Sequence, residues 1–398
     1  MIGARLSSFY LFYFAALGAL MPYWGPYLRS AGFEPAQIGE LMAILLGTKI
    51  VAPYIWGWLS DRSGSRMPII RIATFLAAAA FTGVFIGQGY LWMAAVMMSF
   101  SFFWNAALPQ FEAVTLNHLG SRVHRYGWIR MWGSVGFILS VVMLGPALEE
   151  VGHQLLPWVV LGLFLALWLA TLGVPERRDP RSPPESGGLV AVLRRPEVIS
   201  LFVLCFLAKA SHGPYYSFFT IYLEDSGYSG LAVGSLWALG VLAEIAVFLL
   251  MPRLLPRVGP RNLMLLALAL TALRWLLIAG FVDKMPVLIA AQLLHMASFG
   301  LYHAVAIHFI HRFFPGRFQG RGQALYSSLS FGAGGAVGAL GSGYLWEPAG
   351  AGVVFATAAL AAAVALVVAA FGLPRNPGRQ PDIRISGQTG TSTGEGTG

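Results

Sequence analysis

Between two long apolar runs the chain reads Gly57-Trp58-Leu59-Ser60-Asp61-Arg62-Ser63-Gly64-Ser65-Arg66. Gly57 has no side chain and lets neighbouring helices approach closely. Asp61 is the sole acid among the arginines of this loop. It can pair with basic groups, and with the N-terminal dipole of a neighbouring helix, in one conformation only, which is the property of a gate. Arg62 and Arg66 read equally well as anchors that hold the loop on one side of a bilayer. A degraded copy stands far downstream as Pro252-Arg253-Leu254-Leu255-Pro256-Arg257-Val258-Gly259-Pro260-Arg261, without the Asp but with the Arg-x-Gly-x-Arg core kept.

The runs on either side of these loops set the fold class. The 398 residues are 57% hydrophobic and only 11% charged, with a mean hydropathy of +0.68. A soluble domain carries about a quarter charged residues, so the apolar excess here has to face lipid. Stretches of about 20 apolar residues, the length that crosses a bilayer, fall near 7–28, 36–58, 67–87, 90–117, 126–147 and 155–173. Six more fall near 197–222, 231–251, 261–281, 286–310, 322–345 and 349–373. The expected architecture is an all-α membrane protein with twelve transmembrane helices in two halves. Its parts are an N-terminal half over 1–174, a charged cytoplasmic linker over 175–196, a C-terminal half over 197–373 and a disordered cytoplasmic tail over 374–398.

Charge placement gives the orientation. Twenty of the 26 Lys and Arg residues lie on the side that carries both termini, and only Arg29 and Lys284 lie on the other. The positive-inside rule puts both termini in the cytoplasm of a multi-pass protein of the bacterial inner membrane. A formal charge of +9 spread over short loops in this way is a topology signal and not a nucleic-acid surface. The single cysteine, Cys205, excludes an intrachain disulfide and a cysteine-based metal site. The first run continues through Met21-Pro22-Tyr23-Trp24 without a cleavage site. No nucleophile–base pair or metal constellation points to an enzyme.

Charges inside the spans are costly, and they are paired or functional. They are Lys49, Arg130, Lys209 and Arg274 against Glu112 and Glu244, with Glu40 near an outer edge. Glu112 and Arg130 lie at equal depth and can pair. The four cations exceed the two acids, so an anionic substrate would offset the excess and a neutral one would not. His295 and His303, eight apart, share one helical face, and histidine can carry a proton near neutrality. His308, beside His311 and Arg312, reads as structural. His212 follows Lys209 by one turn.

Two stretches carry helix breakers beside aromatics: Pro22-Tyr23-Trp24-Gly25-Pro26-Tyr27 in span 1 and His212-Gly213-Pro214-Tyr215-Tyr216 in span 7. They occupy corresponding positions of the two halves, where interrupted helices mark mobile gates and binding sites. Tyr27 and Tyr222 also suit an interfacial aromatic belt. The glycines from Gly332 to Gly343 in span 11, and Trp132-Gly133-Ser134-Val135-Gly136-Phe137 in span 5, provide close helix contacts.

The loop 57–66 fills every defining position of the major facilitator superfamily signature, and the chain resembles that superfamily in plan over nearly its whole length. Narrower strings resemble its phenylpropionate permease branch, which is lactose-permease-like. They are Ile129 to Phe137, His212 with Tyr215-Tyr216, Gly234 to Glu244, Arg274-Trp275, and Leu294-His295 with His303. The resemblance implies a secondary active transporter that takes up a small aromatic or related carboxylate, such as 3-phenylpropionate, by proton-coupled symport and alternating access. The proton gradient is its energy source, with no cofactor and no metal. Arg130 or Arg274 would bind the carboxylate, with Lys49, Trp24, His212, Tyr215 and Tyr216 around the substrate. Glu244, His295, His303 and Glu112 are the candidate proton carriers; Gly57, Asp61, Arg62, Gly64 and Arg66 form the gating loop. The sugar-transporting relative has an acid three residues after the histidine of span 10, and Ser298 stands there in this chain. A proton-coupled sugar or nucleoside symporter is the alternative within transport, and a non-transporting membrane sensor the alternative outside it. The expected partners are the small-molecule substrate, protons and lipid, with a monomer as the working unit.

Overall fold

The structure, a computed structural model, describes residues 2–177 and 189–375; its long elements are all helices, with no strand among the described residues. They are α1 (Ile2–Ser30), α2 (Pro35–Ser63), α3 (Met67–Phe85), α4 (Tyr90–Leu119), α5 (Tyr126–Val151) and α6 (His153–Leu172), then α7 (Pro196–Asp225), α8 (Gly230–Val258), α9 (Pro260–Phe281) and α10 (Met285–Phe313). A final helical stretch, Gln319–Gly372, has 54 residues, roughly 80 Å of helix and far more than a bilayer requires. It turns at Gly350, whose φ of 79° and ψ of 161° are non-helical, and so forms α11 (319–349) and α12 (351–372). Twelve spans result, the last two joined through one residue. A short helix, Leu189–Leu193, precedes α7. The middle of the linker and all but the first two residues of the expected disordered tail lie outside the described residues.

Local chemistry sets the helix ends. At the start of α2, Glu34 and Gln37 form a reciprocal capping box ahead of Pro35. The same helix stops at Gly64, whose φ of 68° is left-handed and whose N–H bonds to the Ser60 carbonyl. The second glycine of the quoted loop is therefore a helix cap. Large apolar side chains such as Leu91, Trp128, Leu249 and Phe371 are exposed around the bundle, as lipid-facing positions of a multi-pass membrane protein require.

The halves repeat one packing plan. In the first, α1 lies on α5, α2 on α4 and α3 on α6; in the second, α7 lies on α11, α8 on α10 and α9 on α12. Matching arginines close matching ends. Arg71 on α3 donates to the carbonyls of Thr171 (3.4 Å) and Val174 (2.8 Å) at the end of α6. Arg261 on α9 does the same to Ala370 (2.6 Å) and Leu373 (3.2 Å) at the end of α12. A cation at a helix C-terminus satisfies carbonyls that have no partner within the helix.

The halves meet at the end of the bundle away from the termini. Glycines make the seams: Gly145 on α5 faces Gly230 on α8, Gly25 on α1 faces Ser217 on α7, and Gly39 on α2 faces Gly343 on α11. Ion pairs tie the rim, with Arg29 bonded to Glu224 (2.9 Å) and Asp225 (2.6 Å), and His153 reaching Glu224 at 3.2 Å. Glu40 accepts from Tyr90 in its own half and from Tyr344 in the other. One apolar core runs through this end from α1 to α12. In the first half this core continues toward the termini, with a small satellite between α2, α3 and α4, while the second half has a separate core at that end.

The two expected helix breaks differ. The α7 span is interrupted at Ser211-His212, between Pro196–Ala210 and Gly213–Asp225. By contrast, α1 runs unbroken through Pro22 and Pro26, a correction to the expected symmetry. Residues 18–28 are all buried, so neighbouring helices hold α1 in line where its own hydrogen bonds are lost.

Candidate functional site

The interruption of α7 and two π-helical segments, Met296–Leu301 in α10 and Ser327–Gly334 in α11, surround one polar cluster. Such wide turns re-aim side chains and are frequent at functional sites. Arg274 on α9, fully buried, lies at its base. Its Nε donates to the Ala291 carbonyl (3.0 Å), Nη1 to His295 Nδ1 and Ser298 Oγ (both 2.9 Å), and Nη2 to Gln292 Oε1 (3.1 Å). The guanidinium rests on the rings of Tyr215 (4.3 Å) and Trp275 (4.5 Å), and the Tyr215 hydroxyl donates to the same Gln292 oxygen at 3.0 Å.

Arginine can only donate, so His295 Nδ1 is an acceptor and the proton of the neutral ring sits on Nε2. That nitrogen is 3.9 Å from Glu244 Oε2 on α8. A chain of groups thus runs from buried Arg274 through His295 to Glu244, which is partly exposed. Two glycines make room for it. A Cβ on Gly240 would meet the His295 ring at 3.3 Å, and one on Gly300 would meet Glu244 Cγ at 3.2 Å.

Lys209 on α7 is 1% exposed and its Nζ has no hydrogen-bond partner among the described residues. The ammonium lies over Phe299 (4.0 Å), Phe331 (4.4 Å) and Tyr302 (5.2 Å). Glu244 and Lys49 are within electrostatic range of it. Lys49 on α2 is partly exposed and makes no hydrogen bond or ion pair among the described residues. His303 pairs with the Tyr326 hydroxyl at 2.8 Å, just beyond Phe299. His212 is buried at the break of α7, its Nδ1 2.7 Å from the Ala208 carbonyl and its Nε2 unpartnered. Tyr216 lies beside that ring and is partly exposed.

The first half presents Arg130 on α5. It lies 4.0 Å from Glu112 and 3.9 Å over the Phe14 ring, with both charged side chains about one-third exposed at 32% and 39%. Tyr126 donates to Glu112 at 3.4 Å. The equal depth of Glu112 and Arg130 read from the sequence brings them together. The charge of Arg130 in the first half acts on Glu244 and His303 in the second.

Trp24 lies elsewhere. It is fully buried in the core of the first half, its Nε1 3.3 Å from Met97 sulfur and its ring against Tyr27 and Phe81. The quoted loop is also apart from the cluster, at the end that carries the termini. Asp61 pairs with Arg66 (3.2 Å), Arg66 also donates to Gln110 on α4 (2.6 Å), and Arg62 lies over Trp58. Gly57 sits where a Cβ would touch Gln110 at 3.4 Å. Gln292, Ser298, Tyr326 and the rings around Lys209 were not singled out from the sequence as site groups. Gln292 stands three residues before His295, one turn along the same face; the rings come from two helices and carry no sequence signal. Among the described residues no group of three or more His, Cys, Asp or Glu could hold a metal ion.

Two six-helix halves sealed at one end, with paired and unpaired charges held within their spans, define a secondary transporter. The chain belongs to the MFS_1 like family, which it matches over residues 4–357, and so to the major facilitator transporters, which are not enzymes. It is 31% identical to a probable 3-phenylpropionic acid transporter of Escherichia coli (strain K12), over 88% of this chain and 93% of that one. It is 29% identical to the maltose permease of Geobacillus stearothermophilus, over 88% and 90%. Among solved structures it is similar in fold to the nucleoside transporter NupG, with a TM-score of 0.81 at 18% identity over 93% and 98% of the chains.

Proposed function

We propose that this chain is a proton-coupled symporter that takes up a small aromatic or related carboxylate, such as 3-phenylpropionate, by alternating access. In this reading it acts as a monomer in the bacterial inner membrane with both termini in the cytoplasm, and the sealed end faces outward. The observation that carries the proposal is the Arg274–His295–Glu244 chain next to the unpaired Lys209. Glu244, while ionised, offsets part of the cationic excess of the cluster. Once it takes a proton, Lys209, Lys49 and Arg130 are left with less countercharge, and a carboxylate restores the balance. Proton and substrate then favour each other's binding, as linkage requires of a symporter. Arg130 and Lys49, both partly exposed, meet the incoming anion. Arg274 has four of its five N–H groups engaged by protein acceptors, so its part is to fix the His295 tautomer and hold positive charge beneath it. The name of the Escherichia coli relative supports the substrate class.

The test is uptake of labelled 3-phenylpropionate into proteoliposomes, with and without an imposed pH gradient. Accumulation that depends on the gradient and stops with a protonophore is expected; uptake indifferent to the gradient rules out the coupling. Glu244→Gln should lower gradient-driven accumulation about tenfold or more while substrate counterflow persists. If maltose or a nucleoside accumulates in place of the acid, the neutral-solute alternative replaces this one.

A further inference from the structure

We infer that Lys209, behind the rings of Phe299 and Phe331, is the seat of the substrate carboxylate, and that the two rings form a cover whose displacement admits an arylalkyl acid. The inference rests on the symport reading and names the part of the site that selects charge and ring together.

A cation buried in a membrane span without a hydrogen-bond partner is costly by several kcal/mol. The three rings around Lys209 Nζ compensate part of that, at about 0.5–2 kcal/mol for each favourable cation–π contact. None of them supplies a hydrogen-bond acceptor to the ammonium, which keeps three donors unused. Glu244 is not within ion-pair distance of Lys209 and instead faces His295. Lys209 thus has no anionic partner among the described residues, and a bound carboxylate would supply one.

The cover is suited to move. Phe299 and Phe331 are both partly exposed, whereas Lys209 beneath them is buried. Each ring sits in a π-helical segment, on α10 and α11 respectively, an irregularity frequent at functional sites. Gly334 brings α11 against α7 beside the lysine, its Cβ position 3.3 Å from Lys209 Cβ. Displacing the rings would expose an ammonium to the carboxylate and two aromatic faces to the substrate ring. Ring stacking on Phe299 and Phe331 is available to an arylalkyl acid and not to acetate.

Binding to the full-length chain is measured by equilibrium dialysis with 3-phenylpropionate, its neutral amide and acetate. Lys209→Gln is expected to weaken 3-phenylpropionate at least about 30-fold, the usual cost of removing one member of a buried charge pair, and to leave the amide within about threefold. Lys209→Arg should recover part of the loss. Unchanged affinity for the acid in Lys209→Gln overturns the seat while leaving symport standing. If Lys209→Gln does not fold, Phe331→Leu decides: the preference for 3-phenylpropionate over acetate should fall about fivefold or more, in line with the worth of an aromatic contact. A preference that stays intact overturns the cover. Failure of the unaltered chain to bind any carboxylate removes the substrate class itself.

Discussion

Arg274 uses most of its hydrogen-bonding capacity on groups that the chain itself supplies. Its acceptors come from Ala291, Gln292, His295 and Ser298, all on α10. His295→Phe leaves one guanidinium donor without an acceptor in a fully buried place, and should cost about 1–3 kcal/mol, read as a lowered apparent Tm of the purified protein. Arg274→Lys should not rescue function, because an ammonium cannot span acceptors that a planar fork reaches at once. At this scale the sequence revealed which groups share a depth. Glu112 with Arg130 could be matched by counting residues from the span ends, whereas the pairing of Glu244 with His295 could not. It did not reveal which way a side chain points. Trp24 stood beside two prolines and read as a cavity residue, yet it packs on Met97 and Phe81. A span apolar on every face gives no periodicity from which to read its inner side.

Helices carry the next set of consequences. The seam between α5 and α8 leaves no room for side chains: a Cβ on Gly145 would lie 2.0 Å from the Gly230 carbonyl oxygen, and one on Gly230 would lie 2.1 Å from that of Gly145. Gly145→Val should therefore prevent this end from sealing. Expected outcomes are lost uptake and a longer distance between spin labels at positions 88 and 283, which lie in far-end loops of opposite halves. Cys205 is the only cysteine and is buried, so its replacement by Ser leaves those labels as the sole reporters. The spans, the loop after α2 and the break in α7 were legible, because each depends on local composition or on Gly and Pro; the cap at Gly64 was not read from the sequence. The π-helical segments, which pack against α2, α7, α8 and α9, were not, because they have no residue signature.

For the whole molecule, the proposed alternating access makes the balance between its two faces sensitive to the weak bonds at the rim. The Arg29 pairs to Glu224 and Asp225 are partly exposed, and such pairs are worth about 0–1 kcal/mol each. Even 1 kcal/mol shifts a two-state population roughly fivefold. Arg29→Gln should leave stability nearly unchanged while the labels at 88 and 283 report a larger fraction with the far end open. Added salt should act on the unaltered chain in the same direction.

The bend at Gly350 also bears on how the chain enters the membrane. Because α11 and α12 are joined by a single residue, neither can cross the lipid and wait for the other: a polar connection long enough to pause at the surface does not exist between them. They are therefore expected to partition together as a helical hairpin during biosynthesis. A reporter epitope spliced in at Gly350 should therefore impair insertion of this pair, where the same epitope between α6 and α7 is accommodated.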